Sequence, residues 1–236
     1  MIDHLYVNGC SFVRDNNVSL HDHFVDQIAQ RHGWSYTNAG WPGSCNRRII
    51  RNTLKHSLEF GHNTQVVVGL SLVERTEINV HDNWDPADPR MPGEDWFQGI
   101  KSDNTGSQFR DYREAWIRNF NAYGEAIDLA TDVLALTSHL RWRNIPYLIY
   151  AHQDFFPPWA DHKRKNIAKV LETHAVFQAL SQDRWVTNLL HDSLYQRLGP
   201  GDWSYDTFLQ GHLNQAGHAR AADVISDLIN AADKSN

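Results

Sequence analysis

Apolar positions along this chain fall into short unbroken runs, separated by longer stretches with a three-to-four-residue apolar period. The first run, Leu5-Tyr6-Val7, is of strand type. The breaker pair Asn8-Gly9 stops it, and Cys10-Ser11-Phe12 follows. Residues 19–31 show a helical stripe at Leu20, Phe24, Val25 and Ile28, with Ser19 placed to cap it and Gly33 to end it. Residues 34–38 predict a second short strand. Gly40-Trp41-Pro42-Gly43 is a loop, after which Ser44 caps a predicted helix with Ile49, Ile50, Leu54 and Leu58 facing inward. Residues 65–70 form a nearly continuous apolar run, the pattern of a parallel strand buried on both faces. Strand and helix alternate, so the sheet is predicted to be parallel.

Residues 79–112 break this alternation. They carry six prolines and glycines, an acidic balance and the aromatics Trp84, Trp96 and Phe97. The stretch is too long for an ordinary connection and reads as an irregular insertion. Because it follows strand three, it is either a surface excursion with aromatic anchors or a wall of the site. The period then returns over 113–141, where Trp116, Phe120, Tyr123, Ile127, Ala130 and Leu134 predict one long helix. Residues 146–151 predict a fourth strand, followed by the loop His152-Gln153-Asp154. Residues 161–180 predict another helix, with His174 on its apolar side as a core histidine. Trp185-Val186 is a minimal fifth strand. A loop from Gly199 runs to His212, and Asn214 caps a last helix that turns Ala221, Val224, Ile225 and Leu228 inward.

Composition narrows the function classes. The chain has 236 residues, 41% hydrophobic and 21% charged, which suits one α/β domain with a sizeable core. A net charge of -6 argues against a general nucleic-acid-binding surface. No apolar run approaches the ~20 residues of a membrane span. The start lacks the basic and apolar regions of a signal peptide, which gives a cytoplasmic expectation. Two cysteines, Cys10 and Cys45, do not make a disulfide framework. No metal or cofactor is expected: His21-Asp22-His23 spreads over different helix faces, and His212 with His218 lacks a metal-site spacing.

The candidate chemistry lies at the two ends of the chain. Ser11 follows strand one, where open α/β sheets place ligands, and His212 precedes the last helix. A serine hydroxyl needs an adjacent base to attack a carbonyl at neutral pH, and histidine has the suitable pKa. Cys10 competes as nucleophile. Glu74, Arg75 and Glu77 follow strand three as a structural ion pair or, through Arg75, as a holder of an anionic substrate group; the structural role is favoured.

Both ends resemble the SGNH hydrolases, or GDSL-type esterases, and in particular the divergent SGNH-like proteins of phage and bacteria. Gly9-Cys10-Ser11 stands at the family's Gly-Asp-Ser block, with Cys10 in place of aspartate. Residues 38–44 resemble its second block, whose loop glycine supplies an oxyanion amide. Gly69-Leu70-Ser71 falls at the Gly-x-Asn block, so Ser71 replaces the asparagine. His212 with Gly217 resembles the last block, where Leu209 stands at the usual aspartate position. The resemblance implies one domain over 1–236: a three-layer α/β/α sandwich with a flavodoxin-like parallel sheet of roughly five strands.

It also implies a serine esterase or deacetylase working through a Ser-His dyad or triad on a small-molecule or carbohydrate ester such as an O-acetylated sugar. Ser11 would be nucleophile and His212 base. Asp206 would orient the histidine, with Asp202 or a backbone carbonyl as substitutes. Backbone amides of Ser11 and Gly43 would hold the oxyanion, aided by the side chains of Asn46 or Ser71. On the family alignment Cys10 points away from the cleft. The alternative is a catalytically degenerate SGNH-fold binding or structural protein, which Leu209 and Ser71 favour.

Overall fold

The computed structural model describes residues 1–14, 19–73, 75–79, 97–100, 110–153, 155, 162–199 and 212–233. Its centre is a parallel sheet of β1 (His4–Asn8), β2 (Ser35–Asn38), β3 (Thr64–Leu70) and β6 (Tyr147–Ala151), in the order β2-β1-β3-β6. A single parallel bridge from Ile149 to Val186 extends it by one position, which is the minimal fifth strand of the sequence reading. The strand order is flavodoxin-like, reversing direction between β1 and β3, where ligands bind in such sheets.

Burial follows the composition of each strand. Every residue of β3 is buried, as its valine run requires between two helical layers. β2, with the sequence Ser-Tyr-Thr-Asn, is an edge strand whose first three residues are exposed. Helix α1 (Phe24–His32) packs on α8 (Gln215–Asp233), while α2 (Asn46–Ser57) packs on α4 (Ala122–Trp142) and α4 on α6 (Ala175–Ser181). Right-handed crossovers place α1 and α2 on opposite faces, because the chain runs from β1 to β2 and then back past β1 to β3.

Several elements differ from the sequence reading, each for a local reason. Ser19 caps only a 3-10 turn over Leu20–Asp22, and α1 itself starts after His23, so Leu20 is exposed. The N-cap of α2 is Cys45 rather than Ser44, and Leu58 lies just beyond that helix, exposed. The predicted long helix is two: α3 (Arg110–Asn119) and α4, parted where the Asn121 side chain accepts a hydrogen bond from Gly124 N–H. The next predicted helix also divides, into α5 (His162–Glu172) and α6. The divider is His174, which is a half-buried cap whose Nδ1 accepts from Val176 N–H at 3.4 Å, not a core histidine. Within 79–112, read as irregular, Phe97–Ile100 is a strand, β5. It pairs antiparallel with β4 (Thr76–Asn79). Trp84 and Trp96 lie outside the described residues.

Candidate functional site

Packing at the C-terminal edge of the sheet fixes the turn that carries Ser11. Asn8, buried at the end of β1, donates through Nδ2 to Ile49 O at 3.0 Å and Thr53 Oγ1 at 2.9 Å, tying the strand to α2. Its Oδ1 accepts from Gly9 N–H at 2.8 Å. Gly9 must lack a side chain: a Cβ there would collide with Val13 and stand 2.9 Å from Gly69 O on β3. The chain then closes a helical turn in which Cys10 O accepts from Val13 N–H at 2.9 Å and Arg14 N–H at 3.2 Å. Ser11 sits in this turn, 8% exposed, while Cys10 is fully buried in the core.

The next loop is bonded to the same turn. Trp41 N–H donates to Gly9 O at 3.0 Å, and Asn38 Nδ2 donates to Val13 O at 2.8 Å. Residues 41–44 form a tight turn closed by Ser44 N–H to Trp41 O at 3.1 Å, with Gly43 at φ 82°. Pro42 followed by a positive-φ glycine is the signature of a type II turn, and a Cβ at Gly43 would be strained. Arg14 and Arg48 both hold their guanidinium groups against the Trp41 ring, 5.5 and 5.6 Å from its centroid.

His212 enters from the far end of the sequence. Its ring meets Phe12 edge-on, with centroids 5.5 Å apart and planes at 87°. The residue after Ser11 therefore touches the candidate base directly, although some two hundred positions separate them in sequence. His212 is 7% exposed. Asp206, Asp202, Leu209 and Asp154 lie outside the described residues.

The two candidate oxyanion side chains behave differently from each other. Asn46 spends its amide on the backbone: Oδ1 accepts from Ser71 N–H at 2.7 Å, and Nδ2 donates to Ser71 O at 3.0 Å and Leu72 O at 3.3 Å. That arrangement locks the end of β3 to the start of α2. Ser71 Oγ, in contrast, is buried without a hydrogen-bond partner.

Sequence reasoning missed how completely His152 is buried. It lies just past β6, 1% exposed, with both ring nitrogens unpartnered. Phe12 and Tyr150 flank its ring at 4.9 Å each. The space it fills is the one Gly69 leaves, since a Cβ on Gly69 would collide with His152 Nε2. A glycine inside an otherwise apolar strand was the available signal of such a close approach. Burial, with help from the Arg75 and His212 charges, pushes the His152 pKa down to about 3.

A second buried pair lies behind His212. The His23 and His218 rings meet at a tilt of 44°, with centroids 4.4 Å apart. Each Nδ1 accepts a backbone N–H, from Val25 at 3.3 Å and Phe24 at 3.4 Å. Burial and mutual repulsion push His23 down to about 3; burial and the His212 charge push His218 down to about 4. Of the groups after strand three, Glu77 pairs with Arg51 in two hydrogen bonds at 2.5 and 3.2 Å, and Glu74 lies outside the described residues. Among the described residues no three His, Cys, Asp or Glu side chains gather as a metal site, and no helix is long and apolar enough to cross a membrane.

No protein-family model matches the sequence, and no curated protein does. Solved structures do match in three dimensions. A putative lipolytic protein of the G-D-S-L family from Desulfitobacterium hafniense aligns with a TM-score of 0.51 at 9% identity, covering 95% of this chain and 98% of that one. The acetylxylan esterase Axe2 from Geobacillus stearothermophilus aligns at 0.54 and 11% identity over 96% and 94%. The psychrotrophic esterase EstA from Pseudoalteromonas sp. aligns at 0.53 and 14% identity over 97% of each chain. With β1, β3 and β6 presenting the Ser11 turn, Ser71 and His152 along one edge, the chain has the fold of the SGNH, or GDSL-type, hydrolases.

Proposed function

We propose that the protein is a serine hydrolase of carboxylic esters, with Ser11 as nucleophile and His212 as base. The observation that carries this reading is the Phe12–His212 ring contact, which joins the turn after β1 to the residue ahead of α8 on a fold shared with esterases. In the first step His212 takes the proton of Ser11 Oγ while that oxygen bonds to the ester carbonyl carbon. The backbone N–H groups of Ser11 and Gly43 receive the developing oxyanion, and the unpartnered Ser71 hydroxyl is the side-chain donor. Collapse breaks the carbon–oxygen bond to the alcohol, which leaves with the proton from His212. Water, activated by the same histidine, then releases the acid from the acyl-enzyme. Asp206 is the proposed orienting carboxylate. The substrate is a small ester or an O-acetylated sugar.

A second reading, a catalytically degenerate binding protein on this fold, draws support from Leu209 at the family's aspartate position and from Asn46, whose amide is committed to the backbone. A fluorophosphonate probe separates the two. Labelling that disappears in Ser11→Ala and drops at least about a hundredfold in rate in His212→Gln is expected of the hydrolase. Labelling that persists in Ser11→Ala removes Ser11 from the role, and a wild type that never labels leaves the binding reading.

A further inference from the structure

The turn that carries Ser11 and the loop that carries Gly43 are joined along the β2 side of the site. At the start of the turn, Gly9 O accepts from Trp41 N–H at 3.0 Å. At its end, Val13 O accepts from Asn38 Nδ2 at 2.8 Å, and Asn38 Oδ1 accepts from Gly40 N–H at 3.0 Å. Gly40 and Val13 meet closely across this seam, since a Cβ on Gly40 would stand 2.8 Å from Val13 Cγ1. These contacts fix the loop as far as Trp41. Gly43 lies two residues further on, inside the turn of residues 41–44.

The Trp41 side chain extends the tie beyond that point. Its ring holds the guanidinium of Arg14 at 5.5 Å from the centroid and that of Arg48 at 5.6 Å. Arg14 closes the nucleophile turn, three residues after Ser11, with its N–H on Cys10 O at 3.2 Å. Arg48 is the third residue of α2, the helix that starts directly after the loop and whose Asn46 binds the backbone of Ser71. One indole therefore touches the nucleophile turn and the first turn of α2 while standing on the loop between them. The core does not call for it: Trp41 is half-buried and is not among the side chains that pack against the hydrophobic cluster. A guanidinium is drawn to the ring quadrupole, most strongly to that of tryptophan, so an aliphatic side chain would not hold the two arginines.

In the proposed reaction Ser11 Oγ bonds to the carbonyl carbon while Gly43 N–H receives the carbonyl oxygen. The turn and the loop must therefore keep a set distance. Misplacing a reacting group by about 1 Å costs up to about a hundredfold in rate, and losing an oxyanion donor costs about a hundredfold or more.

We infer that Trp41 is a positioning residue of the hydrolase: by gripping Arg14 of the nucleophile turn and Arg48 of α2, it keeps Gly43 N–H in place relative to Ser11 Oγ. The inference rests on the hydrolase reading and adds a residue to it. Trp41 acts through Ser11 and Gly43 and is not itself a donor to the substrate.

The test uses 4-nitrophenyl acetate, a neutral ester, so that removing a guanidinium does not act through substrate charge. Trp41→Leu should lower kcat at least about tenfold while KM stays within about threefold, because the fault lies in the transition state and not in substrate binding. Trp41→Phe, which keeps a ring face, should recover most of the loss. Arg14→Gln should lower kcat severalfold in the wild-type background. In the Trp41→Leu background it should change kcat by less than about twofold, since the contact is already gone. The pH midpoint of kcat/KM, set by His212, should not move in any variant. A Trp41→Leu kcat within about twofold of the wild type, a change confined to KM, or fully additive losses from Arg14→Gln and Trp41→Leu overturns the inference.

Amide hydrogen exchange gives a second reading that needs no turnover. In Trp41→Leu the amides of residues 10–14 and 43–48 should exchange severalfold faster together, and in Trp41→Phe they should stay near the wild-type rate. Unchanged exchange at residues 10–14 overturns the inference even where the hydrolase reading stands. If the wild type neither hydrolyses the ester nor reacts with the fluorophosphonate probe, the hydrolase reading falls by itself, and exchange alone decides whether Trp41 couples the two segments. Circular dichroism checks each variant. Where Trp41→Leu fails to fold, Arg14→Gln, at an exposed position, carries the same comparison with Arg14→Lys as its rescue.

Discussion

Asn8 and His152 invite comparison. Both are polar, both are almost fully buried, and both stand at the C-terminal end of a strand of the parallel sheet. Asn8 uses its whole amide, donating to Ile49 O and Thr53 Oγ1 and accepting from Gly9 N–H. His152 uses neither ring nitrogen. The same contrast recurs one step along the edge, where Asn46 makes three hydrogen bonds to the backbone and the Ser71 hydroxyl makes none. The saturated pair ties strand ends to α2 and gives the turn its shape. The unsaturated pair gives the fold nothing that an apolar side chain would not give, so its polarity has to be accounted for by something that is not part of the fold.

The largest expected effect tests the buried histidines together. His23, His152 and His218 have folded-state pKa values pushed down to about 3, about 3 and about 4, against an unfolded value of about 6.5. The native state therefore binds fewer protons than the unfolded state between those limits. Stability is fully present above about pH 6.5 and is lost as the pH falls below it. Three such groups give a slope of up to about 4 kcal/mol per pH unit. Urea melts at pH 7.5, 6 and 5 measure it, in a window above most carboxylate titration. The double variant His23→Gln/His218→Gln should flatten the slope by more than half. Equal stability at pH 7.5 and 5 would show that these rings are protonated without cost.

That cluster also marks the limit of what the sequence discloses. The sheet was legible because its evidence is local: the valine run of β3 and the breaker pair after β1 sit within a few residues. The loop of residues 40–43 was legible for the same reason, since Pro42-Gly43 carries its own turn chemistry. Breaks within a continuing period were not. Phe120 and Tyr123 keep the helical spacing on either side of Asn121, so periodicity passes over the point where that side chain stops and restarts the helix. His174 was hidden in the same way, because its cap is made by a ring nitrogen and not by one of the usual capping residues. Least legible was the histidine cluster. The partner of His218 is the Phe24 N–H, 194 positions away, and no pattern along the chain relates the two. For the candidate site, the order of Ser11, Gly43, Ser71 and His212 was visible from motif resemblance, whereas the burial of His152 and the unmet Nη1 of Arg75 required coordinates.

A smaller effect sharpens the saturated side. Asn8→Leu keeps the volume but leaves Gly9 N–H without its acceptor in a buried place, while Ile49 O keeps the Thr53 hydroxyl. A destabilisation of about 2 kcal/mol is expected from the unmet Gly9 N–H and the lost bond to Thr53. Denaturant unfolding at pH 7.5 measures it. A loss below about 1 kcal/mol would mean that the turn is held by the Gly9–Gly69 approach alone, and that Asn8 is not the tie between β1 and α2.

The smallest expected change in stability is the most discriminating. His152→Leu replaces an imbalanced polar ring with an apolar side chain of similar volume, between Phe12, Tyr150 and Gly69. Removing a buried group that makes no hydrogen bond leaves no partner stranded, so the cost expected from Asn8→Leu does not arise here. The variant should unfold within about 1 kcal/mol of the wild type at pH 7.5, and its melting point should fall less on acidification, since one depressed titration is gone. A variant that is destabilised as strongly as Asn8→Leu would put His152 with Asn8 among the groups that build the fold.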